Sequence, residues 1–557
     1  MSEPIQSCIK ACAVQDELRH VRALLQLEQK EEQAQFKLKN ASANIKERRR
    51  RGLTWYPVTI TQEDIGFGGK VVLELERPAH RQDLHLFQVG ASAALFSNAP
   101  GFPGPDRPLL SGVVTSVRRN KLLLATTKEE LPDWVQNASN LNGSTPNSST
   151  LGIDLTFDEV SYREMHQAMS DVIGAHGNRL AELRDVLLGA RQASYREPKA
   201  DDLFYPSPLN DSQLAAVRHA VSAQDVAIIH GPPGTGKTTT LVQAILETIR
   251  RERRVLVCAP SNTAVDLLTE KLAERGVNVI RLGNPSRVSD LLLKHTLDAG
   301  VMAHASYAKM HAMRQTAEQH RDTASELAKE GVRHFGFEGR QHRQQLREEA
   351  RTLRQAADDL ERFMTEDVLE SVQVITCTLV GASHRHIRHL SFETVFIDEA
   401  AQALEPGCWI PIAKGQRLVL AGDHHQLPPT VKSEQAAREG LRETLFEKCI
   451  QRQPNTARML TTQYRMHEQI MGFSSEKFYG GQLVAHPSVR HADLVAHDQR
   501  FAPDLPVEFI DTAGCGYQEL AIPESRSTAN PEEAHLLLER LAQLLAQLSE
   551  PGEPTDP

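Results

Sequence analysis

One stretch constrains this chain more than any other: HGPPGTGKTTT, residues 230–240. It contains G-x-x-x-x-G-K-[ST] from Gly231 to Thr238, after the apolar run DVAIIH and ahead of the helical pattern TTLVQAILETIR. Glycines at this spacing let successive backbone N–H groups turn inward on phosphate oxygens, and the start of the helix adds its partial positive charge. Lys237 reaches β- and γ-phosphates, and Thr238 offers a hydroxyl to Mg²⁺. Pro232, Pro233, Gly234, Thr235, Gly236 and Thr239 complete the candidate nucleotide-binding segment. The motif works only between a strand and a helix, so it demands an α/β fold.

The flanking sequence meets that demand. From residue 205 onward VAIIH, VLVCAP, VNVIRLG, VQVITCT, TVFIDEA and RLVLAGD read as buried strands, most of them separated by helical segments. That alternation predicts a parallel sheet over 205–283 and 372–455. Residues 284–371 carry no strand pattern, only Arg-, Glu- and Gln-rich helix, and read as a solvated helical insertion. A second alternating block is expected over 456–557, with ARMLTTQY, QLVAH and VEFIDTAG as its strands.

The N-terminal third has another character. Residues 10–51 read as one long charged helix, a stalk within 1–52. Over 53–156, about five short β-rich runs broken by Gly and Pro suggest a small barrel, with a flexible loop at 136–152. Residues 157–204 return to helix. The N-x-[ST] triplets at Asn137, Asn142 and Asn147 lie in the polar loop and mean little without secretion. The first residues lack a long apolar run, so no secretory signal is visible, and no run of about 18 apolar residues predicts a membrane span. Seven scattered cysteines without zinc spacing suit a reducing, cytoplasmic setting. A net charge of −9 means that any nucleic-acid site must be a local basic groove.

Two strand ends bear the remaining chemistry. TVFIDEA closes on Asp398 and Glu399, one carboxylate suited to a metal shell and the other to polarising an attacking water. LVLAGDHHQLPPTV places Asp423 and Gln426 near a γ-phosphate, on a loop stiffened by paired prolines. Adjacent His424 and His425 are poorly arranged for a shared ion.

Taken together, GPPGTGKTTT, APSNTAVDLL, RLGNPSRV, FIDEAAQALEP, AGDHHQLPP, QYRMH and VEFIDTAGCG stand in the order of the superfamily 1B helicases. The chain most resembles the branch with the nonsense-mediated-decay helicase and the immunoglobulin-mu-binding helicase, over about residues 205–549. The resemblance implies two RecA-like domains with ATP and Mg²⁺ between them. It also implies an arginine finger, Arg465, beside Lys237, Glu399 and Gln426. Tyr464 and Gln213 are implied at the adenine. Pro260, Ser261, Asn262, Thr263 and Thr378 are implied as contacts to the backbone of single-stranded DNA or RNA. For Ser261, Asn262, Thr263 and Thr378, each taken alone, a helix cap after a strand is the competing reading.

The implied function is ATP-dependent 5′-to-3′ movement along single strands, by a monomer without membrane attachment. The family pattern continues beyond VEFIDTAGCG with further strands and a second arginine motif, so the second RecA-like domain is expected to be incomplete. The alternative is a nucleotide-gated ATPase module that grips a strand without unwinding.

Overall fold

The computed structural model describes residues 3–41, 45–65, 71–78, 85–87, 91–98, 109–118, 120–126, 128, 131–132, 134–135, 150–197, 209–283, 290–330, 337–492, 506–507, 509–522 and 527–548. The chain begins as helix Glu3–Ala41, followed by the short helix Ile45–Arg50, where the sequence suggests one helix over 10–51. Residues 42–44 of the expected helix lie outside the described residues. Val14, Leu18, Val21, Leu25 and Glu28 are buried. Their alternating four- and three-residue spacing is that of a helix with one face against a core.

A closed barrel follows. Its strands are β1 (Thr54–Ile65), β2 (Val71–Glu76), β3 (Ser92–Ser97), β4 (Leu109–Arg118), β5 (Lys121–Thr126) and β6 (Leu151–Leu155), in the order β1-β2-β5-β4-β3-β6. Alternate side chains such as Leu73, Leu75, Leu122 and Leu124 fill the interior. The sixth strand corrects the sequence reading, which gave residues 151–152 to a loop. LGIDL pairs with both β1 and β3 and so removes two open edges. Five residues after a polar run are too few to betray a strand. Residues 136–149 of the expected loop lie outside the described residues. Helices Glu159–Gly174 and Arg179–Leu187 lead back from the barrel, capped by Asp158 and Asn178.

The large sheet uses all six apolar runs. They form β7 (Val226–His230), β8 (Val255–Ala259), β9 (Val279–Arg281), β10 (Val374–Thr378), β11 (Phe392–Ile397) and β12 (Gly415–Gly422). With β13 (Ala457–Met459) the strand order is β13-β7-β12-β11-β8-β10-β9. Strand β11 runs parallel to β12 and β8, and β10 runs parallel to β8 and β9. Covered on both faces, such strands need unbroken apolar sequence rather than alternation. In the β8–β10 register Cys377 lies opposite Cys258, with their buried Sγ atoms 3.6 Å apart. Between β9 and β10, helices Tyr307–Glu330 and Phe337–Ser371 pack as a hairpin, where Arg314 pairs with Asp358 at 3.1 Å and also with Glu361.

The run ARMLTTQY divides. Its first residues join the large sheet as β13, whereas the sequence reading placed them in a second block. Only β14 (Thr462–Gln463) pairs elsewhere, parallel to β15 (Val484–Ala485). The run VEFIDTAG is a second correction. Residues 509–512 are not in a strand, and Phe509 is 87% exposed. No described strand offers them a ladder, and apolar sequence without a ladder partner leaves its backbone groups to water. The antiparallel pair β16 (Leu520–Ile522) and β17 (Ser527–Ala529) comes next, followed by helix Pro531–Leu548.

Two units divide these elements. One comprises Met1–Pro208, Ala215–Ile229 and Thr238–Arg458. The other comprises Leu209–Leu214, His230–Lys237 and Met459–Pro557. Among the described residues, no helix is long and apolar enough to cross a membrane.

Candidate active site

The smaller unit gathers the phosphate loop with residues from two distant parts of the chain. Gly234 and Gly236 hold φ angles of +76° and +77°, the left-handed region that glycine enters without a steric penalty. The Thr235 hydroxyl donates to the Pro232 carbonyl at 2.6 Å and tightens the turn. A Cβ on Gly236 would stand 2.6 Å from Nε2 of Gln213, and one on Gly234 would stand 2.7 Å from Cβ of Arg465. Both glycines therefore serve close approach as well as curvature.

Gln213 is nearly fully buried. Its Nε2 donates to the Thr235 carbonyl at 2.9 Å, and its Oε1 accepts the Asn210 N–H at 3.0 Å. One amide hydrogen and one lone pair are left for a ligand. Tyr464 donates its backbone N–H to the Gly234 carbonyl at 2.8 Å. Its hydroxyl accepts from Asn210 Nδ2 at 3.0 Å, and its ring lies 4.5 Å from that of His486. Fully buried Gln463 fixes the following turn by accepting the N–H groups of Arg465 and Met466, both at 2.8 Å. The Arg465 side chain is exposed and makes no ion pair among the described residues. Asn210 and Gln463 went unnoticed in the sequence. Each reads as one more polar loop residue, and only the fold reveals its task.

In the larger unit the remaining candidates line one edge of the sheet. Strands β12, β11, β8 and β10 are neighbours in that order and run parallel, so their C-terminal ends face the same way. Ligands of open α/β sheets bind at such ends. Asp398 leaves β11, only 3% exposed, and its Oδ1 accepts the Glu399 N–H at 2.9 Å. Glu399 has a φ of +50°, the only positive value outside glycine among the described residues. Strain of this kind is kept where the surroundings enforce it, often at functional sites. Its carboxylate accepts from Gln402 Nε2 at 3.2 Å. Asp423, buried at the end of β12, accepts the His425 N–H at 3.2 Å and Gln426 Nε2 at 2.8 Å.

The nucleic-acid candidates have local duties as well. The Ser261 hydroxyl accepts the Ala264 N–H at 3.2 Å and caps helix Asn262–Glu274. Asn262 Oδ1 accepts from Arg281 at 2.7 Å, and the Thr378 hydroxyl accepts the Gly381 N–H at 3.1 Å. Thr263 is exposed and Pro260 half-buried. Pro260 to Thr263 follow β8, and Thr378 ends the adjacent β10.

Strand, glycine-rich turn and helix, with an acidic pair at the end of β11, define a P-loop nucleoside triphosphatase fold. Two family models, both described as an AAA domain, match residues 208–434 and 441–553. The DNA polymerase alpha-associated DNA helicase A of Schizosaccharomyces pombe is 31% identical over 487 residues, 84% of this chain and 69% of that protein. The DNA-binding protein SMUBP-2 of Mesocricetus auratus is 32% identical over 526 residues, 92% of this chain and 51% of that protein. The Regulator of nonsense transcripts 1 homolog of Drosophila melanogaster is 35% identical over 316 residues, 56% of this chain and 24% of that protein. The chain belongs to the superfamily 1B helicases, in the branch of the nonsense-decay helicase. It spans about half the length of the first of these relatives to match, SMUBP-2.

Proposed function

We propose that this chain carries the motor of an ATP-dependent helicase that moves 5′ to 3′ along single-stranded DNA or RNA and hydrolyses ATP to ADP and phosphate. One observation carries the reading. The turn bearing Tyr464 and Arg465 is hydrogen-bonded to the phosphate loop through the Gly234 carbonyl, more than two hundred residues away in sequence. An arginine held there is placed to meet charge that develops on a transferring phosphoryl group.

The roles follow from chemistry. Lys237 and the loop N–H groups bind β- and γ-phosphate oxygens. Gln213 reads an adenine edge with its spare donor and acceptor, and the Tyr464 ring covers the base. Thr238 and Asp398 would hold Mg²⁺. A threonine hydroxyl and a buried carboxylate are hard oxygen donors that fit this ion, which takes one or two carboxylates and completes its shell with phosphate and water. When bound, the ion neutralises the phosphate oxygens. Glu399 takes the proton of the attacking water, and Gln426 orients that water. Arg465 stabilises the charge in flight. Pro260, Ser261, Asn262, Thr263 and Thr378 grip the strand's backbone, which carries little sequence information. A cytoplasmic location and a monomeric state remain part of the proposal.

The test is ATP turnover with matched DNA and RNA oligonucleotides over a salt series, with strand displacement from 5′- and 3′-tailed duplexes. Lys237→Ala should abolish turnover. Glu399→Gln should slow it by about 10²–10⁴-fold while nucleotide still binds. Turnover at the wild-type rate in both variants would overturn the site assignment, and displacement only from 3′ tails would overturn the direction.

A further inference from the structure

The loop that carries Gln426 is held at both ends by a carboxylate. At one end Asp423, directly after β12, accepts the His425 N–H and the Gln426 side-chain amide. At the other end the carboxylate comes from a different part of the chain. Glu28, on the long N-terminal helix, accepts the Lys432 N–H at 2.8 Å through Oε1 and the Ser433 N–H at 2.8 Å through Oε2. Four hundred residues separate the partners, and Glu28 is only 2% exposed. Between the two anchors lie Leu427, Pro428, Pro429, Thr430 and Val431, of which Pro429 and Val431 are buried. Paired prolines fix φ at two positions, so a displacement at one anchor passes along the loop with little absorbed in between.

A second carboxylate one turn along the same helix extends the junction. Glu32 accepts the Tyr162 hydroxyl at 2.6 Å and pairs with the Lys432 ammonium. Tyr162 lies on helix Glu159–Gly174, which returns from the barrel. The outgoing helix, the returning helix and the loop after β12 therefore meet at Glu28 and Glu32. A carboxylate that accepts two backbone N–H groups in a buried setting makes charge-assisted bonds and defines position more sharply than apolar contact can. Apolar packing alone would hold this helix to the sheet: Leu18, Leu24 and Leu25 belong to the same core as Trp409 and Phe446. The two bonds from Glu28 add registration of one particular loop.

We propose that Glu28 is a positioning residue for Gln426, through which the helical support of the barrel and the nucleotide chemistry are mechanically linked. This rests on the role given above to Gln426. A shift of the barrel's support moves Glu28, which moves Lys432 and Ser433 and re-aims the loop. A loop drawn toward a γ-phosphate pulls the support in return, since coupling between two sites is reciprocal.

The experiment uses the 557-residue chain with Glu28→Gln and, against misfolding, Glu28→Asp as the conservative variant. Two readouts are taken. In hydrogen exchange, Glu28→Gln should speed the amides of residues 424–433 by about tenfold, with β7 and β8 unchanged. Glu28→Asp should restore part of the protection. In turnover, Glu28→Gln should lower kcat about tenfold with KM little changed, and adding it to Gln426→Ala should cost nothing further. Wild-type exchange over 424–433 in Glu28→Gln would overturn the proposal, as would fully additive losses in the double variant. If the unaltered chain hydrolyses no ATP, the functional reading fails, and the exchange measurement still decides whether Glu28 sets the loop.

Discussion

At the scale of single residues the phosphate loop shows how far sequence reasoning reaches. Gly231 to Thr238 is legible because its chemistry is local: a turn, a lysine and a helix start, all within eight positions. Gln463 and Asn210 are not legible, because their partners are distant in sequence and amides look alike everywhere. Gly234 lies between these cases. Its glycine identity fits the turn, but only the fold shows the Arg465 Cβ in the space that a methyl group would occupy. Gly234→Ala should therefore cost about 1–3 kcal/mol from the left-handed φ alone. It should also push the Tyr464–Arg465 turn off the loop. Thermal denaturation and the binding of a fluorescent nucleotide check both. Unchanged nucleotide affinity in a folded variant would mean that the turn does not need that approach.

At the scale of elements the strands were legible where burial on both faces wrote an unbroken apolar run, as in β7, β8 and β11. They were not legible where pairing alone made the strand. LGIDL is a strand because it pairs with β1 and β3, whereas residues 509–512 of VEFIDTAG are not in one. The same dependence on context governs the buried ions. Lys448, 4% exposed in its side chain, lies 2.7 Å from Glu17 on the N-terminal helix and 2.8 Å from Glu405. Glu405 also accepts from Trp409 Nε1 at 3.2 Å. Removing one member leaves an uncompensated buried charge, so Lys448→Ala should destabilise the larger unit by about 3–5 kcal/mol. Lys448→Ala combined with Glu405→Gln should recover part of that loss. Urea midpoints for the two variants check the ordering.

At the scale of the whole molecule stability should depend on pH through His219. Burial pushes this imidazole down to about 4, against the help of the Thr456 carbonyl, 2.8 Å from Nε2. Its ring also stacks on Tyr195 with centroids 4.5 Å apart. The folded chain refuses a proton that the unfolded chain accepts near its usual pKa of about 6.5. This contribution is therefore complete above that pH and lost as pH falls toward 4. Asp298 acts in the opposite sense: burial and the neighbouring Glu361 raise it to about 7, so its stabilising protonation is lost as pH rises through that value. His219→Gln should flatten the fall in melting temperature between about pH 6.5 and pH 4.5, whereas an unaltered fall would assign the acid sensitivity to other groups. The sulfur pair between β8 and β10 carries a practical consequence. Cys258, Cys377, Cys408 and Cys449 are sealed from water, and Cys515 is exposed. An alkylating reagent should consume Cys515 at once and reach Cys258 and Cys377 together, only when their two strands part. Mass spectrometry of a timed alkylation would thus serve as a clock for how often the large sheet breathes open between β8 and β10.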